Sequence, residues 1–417
     1  MKVFKFGGAS VSSAPAIRNV AAILDLFPGK KAVVISAMGN TTNELEKLVR
    51  SYYKRDSQTD DILSSIENYH RQIIDALDLA TISPIRAGEL FDQLRKRLKR
   101  TPSLHFDYEY DQVVCYGELI STAIISDFLE QTGRPNKWID IRESLRTDDT
   151  YREAQIDWKW SEMLVSNTFN FQQHDLYITQ GFIGSTTTNQ TTTLGREGSD
   201  FTAAILGNLM NAESVTIWKN VPGVLNADPN DFADTEKLSE LSYKEAIELS
   251  YSGAKVIHPK TIKPLRNKNI PLYVKPFDFP DQNGTIIHQV DHQLNLVPVY
   301  ILKRKQALIT LSPNDFSFIG IDQLSEVFTF FRKKRIKVNL IQQSAIDLSL
   351  CVDEPEVGLE SVIMELRREF DVRYNTGMIL ATIRFYNDAA LAKIKNNHEI
   401  FMEQKSRRTA RLVLKGK

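Results

Sequence analysis

Short apolar runs of strand length recur through this chain, separated by stretches with helical spacing, and that alternation is what most limits the fold. The runs fall at Lys2 to Phe6, Ala32 to Ile35, Trp138 to Ile141, Leu176 to Thr179, Ser214 to Trp218 and Leu272 to Val274. A parallel strand needs a crossover to bring the chain back, so such runs alternating with helices imply a parallel or mostly parallel α/β sheet. Between the first two, Ile17, Val20, Ala21 and Leu24 repeat at i, i+3, i+4 and i+7 and form one buried helical stripe. Ser242, followed three residues later by Glu245, opens another helix as a capping box. Two helical patterns between Thr59 and Arg100 end in the basic run Arg95 to Arg100, which reads as a solvated helix face.

The pattern changes after the turn-rich Asp281-Gln282-Asn283-Gly284, and a boundary is expected at residues 285–298. Beyond it the order reads strand (Ala307 to Leu311), helix (Asp322 to Lys334), two strands (Lys337 to Gln343, Ala345 to Val352), helix (Glu356 to Phe370) and strand (Met378 to Tyr386). This is the βαββαβ order of a small α+β module. The rest of the chain holds a short helical piece and two strands, Glu399 to Gln404 and Thr409 to Leu414, too little for a second full copy.

At 417 residues the chain is too long for one small core. Lysine plus arginine balances aspartate plus glutamate at 52 each, so there is no net field to draw in nucleic acid or an anionic membrane. Cys115 and Cys351 are the only cysteines, which rules out a disulfide framework or a cysteine metal site and suits a reducing cytoplasm. With no signal-peptide run at Met1 and no expected membrane-length apolar stretch, the reading is of a soluble, unprocessed protein.

Three loops carry candidate chemistry. The first strand runs into Lys5-Phe6-Gly7-Gly8-Ala9-Ser10, and a lysine in a strand buried on both faces calls for an anion at the strand's carboxyl end. Gly7 and Gly8 allow close backbone approach, and the helix after Ser13 offers N-terminal amides. A plain turn and a nucleotide loop both remain open here. Ser36-Ala37-Met38-Gly39-Asn40-Thr41-Thr42-Asn43 also links a strand to a helix; an N-cap cluster accounts for Thr41 or Thr42 but leaves Ser36 and Gly39 unused. In Thr191 to Asp200, Arg196 lies near two glycines, placed either for a two-point grip on a carboxylate or as an exposed turn, and Ser199 and Asp200 start the next helix.

Taken in order, these elements resemble the aspartokinases of the amino acid kinase family. The lysine-phenylalanine-glycine-glycine opening matches Lys5 to Gly8, and the glycine-glutamate element matches Gly117-Glu118. The threonine-rich leucine-glycine-arginine element matches Thr191 to Asp200, and the glycine-alanine-lysine element matches Gly253-Ala254-Lys255. The resemblance implies a three-layer αβα amino acid kinase sheet over residues 1–290, followed by α+β ACT (ferredoxin-like) modules at 298–373 and, truncated, at 374–417.

It further implies transfer of the γ-phosphoryl group of magnesium-ATP to L-aspartate, with no dedicated protein metal site. Lys5, Gly8, Asp200 and Lys255 would serve catalysis, and Gly7, Ser10, Lys219 and Asn220 would join Lys5, Gly8 and Lys255 around the nucleotide. Arg196 would hold the α-carboxylate of aspartate and Glu118 its amino group, with Ser36, Thr42, Phe182 and Ser199 completing that pocket. An amino-acid effector at the ACT modules and a homodimer are also implied, with no nucleic-acid or membrane partner. His258 reads as structural, ahead of Pro259 at a helix start.

Departures from the family pattern are Ala9, Glu197, Asn220 and Asn230 near the substrates, and Asn339 and Ala345 where lysine-inhibited members carry acidic residues. The alternatives are another amino acid kinase, acting on glutamate or acetylglutamate, and a ligand-sensing pseudokinase.

Overall fold

The computed structural model of the chain describes residues 1–79, 86–254, 257–292, 294, 296–315, 317–355, 358–396 and 398–415. They gather into two compact units that are not consecutive in sequence: Met1–Leu225 with Lys237–Ser250 and Lys255–Leu294, and Asn226–Glu236 with Tyr251–Ala254 and Asn295–Lys417.

The first unit opens with β1 (Lys2–Phe6), α1 (Ala14–Leu26), β2 (Lys31–Ile35), α2 (Thr41–Lys54), α3 (Thr59–Ala76), α4 (Arg86–Leu98), α5 (Phe106–Val114), α6 (Tyr116–Gln131) and β3 (Lys137–Ile139). It continues with α7 (Trp158–Thr168), β4 (Leu176–Gln180), β5 (Ile183–Ser185), β6 (Thr191–Thr193), α8 (Gly198–Leu209) and β7 (Ser214–Lys219). Then come β8 (Val224–Leu225), β9 (Lys237–Leu238), β10 (Glu240–Ser242), α9 (Tyr243–Ser252), α10 (Pro259–Asn267), β11 (Leu272–Pro276) and β12 (Thr285–His288).

Eight strands form one sheet in the order β10-β12-β11-β7-β1-β2-β4-β3, parallel except where β12 meets β11. Every residue of β2 is buried, as a central strand covered on both faces requires. Ser13 caps α1 by accepting a bond from the Ala16 amide, Ser242 Oγ accepts the Glu245 amide, and His258 accepts the Lys260 amide ahead of Pro259. The order β7-β1-β2-β4 matters most, because the loops leaving those four neighbours all emerge at one edge, the carboxyl end of the sheet.

Three expectations need correction. Asn40, with no side-chain cap bond, precedes α2, and the Thr41 hydroxyl is buried without a partner, so the threonines do not cap that helix. The Arg95–Arg100 run is not wholly solvated: Arg97 turns inward to the buried Glu109 at 2.7 Å. The helical stretch Phe106–Gln131 is long and apolar enough, by length and composition, to cross a membrane. It is nevertheless a core element, with 83% of its apolar window buried inside the protein.

The second unit holds β13 (Val299–Pro313), α11 (Ile321–Lys333), β14 (Val338–Gln343), β15 (Leu348–Asp353), α12 (Leu359–Leu366), β16 (Phe370–Arg384), α13 (Asp388–Lys395), β17 (Ile400–Lys405) and β18 (Thr409–Lys415). Its antiparallel sheet runs β14-β15-β13-β16-β18-β17 and resembles ACT modules in its α+β make-up. Three apolar clusters lie along it. One gathers Ala307, Ile309, Leu311, Val327, Phe331 and Leu350, a second gathers Ile379, Ala381, Ile383, Leu391, Ile394 and Leu412, and a third gathers Leu308, Leu340, Cys351, Met378, Leu380, Met402 and Val413. β13 and β16 run through all three, so the expected cut between residues 373 and 374 falls inside a continuous strand. The sequence pattern hides the early start of β13 because Lys303-Arg304-Lys305 interrupts its apolar run, and there the pairing with β16 shifts register.

Candidate active site

Lys5 sits near the carboxyl end of β1, 8% exposed, where an isolated ammonium would lose its hydration. Its partner is Asp200 in the first turn of α8, with Nζ to Oδ1 at 2.6 Å. Lys219, at the end of the neighbouring β7, approaches the other carboxylate oxygen at 3.6 Å. Burial alone would raise the Asp200 carboxyl, but the two lysines outweigh it and hold the group below its ordinary range. One carboxylate thus aligns two ammonium groups at the ends of adjacent central strands.

Beside them the loops after β1 and β2 interlock. The Gly39 amide donates to the Gly8 carbonyl at 3.0 Å, and a Cβ on Gly8 would fall 2.8 Å from the Ala37 carbonyl oxygen and 3.0 Å from that of Gly39. Glycine is needed there by space alone. Tyr69 of α3 braces both loops: its hydroxyl donates to the Ser12 carbonyl at 2.8 Å and sits 2.6 Å from where a Gly39 Cβ would be. Ser10 Oγ reaches Asn220 Oδ1, after β7, at 3.5 Å.

Glu118, in the first turn of α6, is 3% exposed. One oxygen accepts the Ala37 amide at 3.3 Å, and the other is buried with no partner. Burial is the main reason that its carboxyl is pushed up to about 8, against smaller opposing effects from the Ala37 bond and the Lys5 charge. Gly117 permits this placement, since a Cβ there would meet Ala37 Cβ at 2.9 Å. The second oxygen is thus a buried acceptor with its valence unfilled.

On the far side, after β4, a Cβ on Gly181 would stand 2.6 Å from Ser199 Cα, and one on Gly198 would stand 2.7 Å from the Phe182 ring. The strand end and the helix start are therefore in backbone contact. Phe182 and Glu197 both adopt left-handed backbone, with φ of 69° and 55°. Arg196 projects from the turn into α8, exposed and without an ion pair among the described residues, while one Glu197 carboxylate oxygen is buried without a partner.

A model of the amino acid kinase family matches residues 1–276. The sequence is 31% identical over 395 residues to lysine-sensitive aspartokinase 3 of Escherichia coli (strain K12), across 91% of this chain and 86% of that one. The chain belongs to the aspartokinases of the amino acid kinase family. It is also 33% identical over 390 residues to the chloroplastic bifunctional aspartokinase/homoserine dehydrogenase 2 of Arabidopsis thaliana, spanning 90% of this chain but only 42% of that relative's length. Among solved structures it resembles E. coli aspartokinase III in complex with lysine and aspartate, with a TM-score of 0.83 and 27% identity over 100% of this chain and 96% of that one. The aspartate and ADP complex of the same enzyme gives a TM-score of 0.82 at 27% identity, with the same coverage.

Of the residues expected from sequence, Lys5 and Lys219 lie at the strand ends of β1 and β7, and Gly7, Gly8, Ser10, Ser36, Thr42, Glu118, Phe182, Arg196, Ser199, Asp200 and Asn220 lie on loops or helix starts, at the carboxyl edge of the aspartokinase sheet. Direct contacts join Lys5, Asp200 and Lys219, and separately Ser10 with Asn220. Lys255 lies outside the described residues. Two supporting residues escape a reading of the sequence. Tyr69 stands in an ordinary amphipathic helix, and Asp111 of α5 is a buried acid that carries no motif. Burial drives the Asp111 carboxyl up to about 6, although bonds from Arg152 and Thr193 oppose that rise.

Proposed function

We propose that this chain is an aspartokinase that moves the γ-phosphoryl group of ATP to the β-carboxylate of L-aspartate. The contact between Lys5, Asp200 and Lys219 carries the reading, because two cations held by one anion beside a glycine-rich loop suit a site where two anions must meet. Aspartate's carboxyl, with a reference pKa of about 3.9, is already ionised at neutral pH, so the nucleophile needs no general base. A carboxylate oxygen bonds to the γ-phosphorus, the bond to the β,γ-bridging oxygen breaks, and ADP leaves with the electron pair. The protein's part is alignment and charge cancellation by Lys5, Lys219 and the amides of residues 7–9, the Ser10 amide being spent on the Gly7 carbonyl. Magnesium arrives with the nucleotide as part of the substrate.

In this reading Glu118 receives the α-ammonium group of aspartate, Arg196 its α-carboxylate, and Ser36, Thr42, Phe182 and Ser199 line the pocket. Gly7, Gly8, Ser10, Asn220 and Lys255 serve the nucleotide. The resemblance to a structure named for its aspartate and ADP complex supports this division. A hydroxamate assay for acyl phosphate tests the proposal: product with aspartate and ATP supports it, and product with glutamate or acetylglutamate in place of aspartate overturns it.

The second unit is proposed to be a pair of ACT modules that share strands, with an amino-acid effector and a homodimeric state. Asn339, in place of an acid, donates to Asp353 at 2.7 Å and to Gln306 at 2.8 Å, and accepts from Lys303 at 3.0 Å. With those valences filled it offers no free charge to a lysine effector. Sedimentation of the intact chain tests the dimer, and a monomer at micromolar concentration refutes it. A cytoplasmic location fits the two free, buried thiols, Cys115 and Cys351.

A further inference from the structure

We propose that Asp111 is a positioning residue for the substrate clamp, fixing the turn Leu194-Gly195-Arg196 from beneath; this rests on the reading of Arg196 as the group that grips the α-carboxylate of aspartate. β6 pairs with β5 along one edge only, which leaves its other edge in need of partners. Helix α5 supplies them with side chains. Gln112 Nε2 donates to the Thr191 carbonyl at 2.7 Å, and Gln112 Oε1 accepts the Thr191 amide at 3.3 Å. Asp111 accepts the Thr193 amide at 2.8 Å and the Thr193 hydroxyl at 2.7 Å. Two consecutive helix residues thus stand in for a strand, and Asp111 holds the residue just before the turn.

The same carboxylate also holds the floor of that turn. Asp111 Oδ2 accepts the Arg152 amide at 3.0 Å. Asp107 and Tyr110, on the same face of α5, secure the Arg152 side chain, by an ion pair at 3.1 Å and by the guanidinium stacking 4.5 Å above the ring. The Arg152 carbonyl oxygen then lies 3.0 Å from where a Cβ on Gly195 would be, so the turn rests directly on this segment. The Ala154 amide closes the circuit by donating to the Thr193 carbonyl at 3.0 Å. Asp111 is fully buried, and every bond it makes leads to the entrance or the underside of the turn that presents Arg196.

Replacing this acid with the amide of the same shape removes the negative charge that strengthens these bonds, the Thr193 hydroxyl turning from donor to acceptor, and so loosens the hold on the turn. The test is a double-mutant cycle on the intact chain with Asp111→Asn, Arg196→Ala and the pair, following ADP release with aspartate and ATP varied in turn. Asp111→Asn should raise the aspartate KM about tenfold, the effect of one lost charge-assisted bond, while kcat and the ATP KM stay within about twofold. In the Arg196→Ala background it should add nothing further, because the clamp it positions is gone. Additive effects, or equal rises in both KM values, overturn the inference and make Asp111 a general fold residue. If Arg196→Ala alone leaves the aspartate KM unchanged, the clamp reading falls and takes this inference with it. Should Asp111→Asn fail to fold, Thr193→Val, which removes one of the donors, goes through the same cycle with an expected rise of about threefold, judged by the same criteria.

Discussion

Glu118 gives the sharpest quantitative test, because burial alone and the ammonium contact proposed for it favour different protonation states. With its carboxyl pushed up to about 8 by burial, only about one site in ten carries a charge at pH 7, and about one in a hundred at pH 6. An ammonium group bound against the open oxygen needs the ionised form. Apparent affinity is the intrinsic affinity multiplied by the competent fraction, so aspartate should bind about tenfold more tightly at pH 7 than at pH 6, equivalent to about 1.4 kcal/mol. The gain should taper off as pH passes 8. Calorimetric titration of the chain with aspartate, run at pH 6, 7 and 8 in buffers of different ionisation enthalpy, measures both quantities. Close to one proton should leave the complex at pH 7. Glu118→Gln should bind weakly and lose the pH dependence. An affinity that stays flat from pH 6 to 8, with no proton released, would show that the ammonium group binds elsewhere.

Three other outcomes rest on the same geometry. Lys5→Ala should lower kcat at least a hundredfold, an order of magnitude typical of removing one transition-state charge partner, with a smaller change in the aspartate KM; steady-state kinetics with an unchanged kcat would remove Lys5 from the mechanism. Gly8→Ala forces a methyl group against two backbone carbonyls and should cost about 1–3 kcal/mol in denaturant unfolding; an unchanged midpoint would show that the two loops give way freely. His70 is fully buried against Phe91, with Nδ1 on the Ile66 carbonyl, and burial lowers its imidazole from 6.5. Its folded pKa lies below its unfolded one, so its contribution to stability holds above pH 6.5 and is lost as pH falls through the folded value. Melting temperature should therefore decline below pH 6.5, and less steeply in His70→Phe; equal slopes would contradict this.

Much of the sheet is legible in the sequence because its central strands are covered on both faces and therefore read as unbroken apolar runs, as in Ala32 to Ile35. Lys5 advertises a buried cation, but that its anion would be Asp200, far along the chain, is a matter of tertiary structure that no local spacing encodes. Gly117 and Gly181 resemble turn glycines in sequence, whereas each permits two elements to touch. Asp111 and Tyr69 stay hidden for a related reason: a polar residue in an amphipathic helix looks solvent-facing until the loop that it supports is known. The tail misleads at Lys303 to Lys305, where charge ends the apparent strand although backbone pairing continues on either side.

Those continuous pairings make β13 and β16 a common pair of girders, each 15 residues or about 50 Å long, beneath all three apolar clusters of the second unit. A slip of one residue turns a strand's inward side chains outward, so the register of β13 against β16 is pinned by buried residues in both halves at once. The pairing is irregular between Lys303 and Gln306, where Lys305 takes left-handed backbone with φ of 56°. The two halves therefore share one backbone, and no cut between them spares a strand that both use.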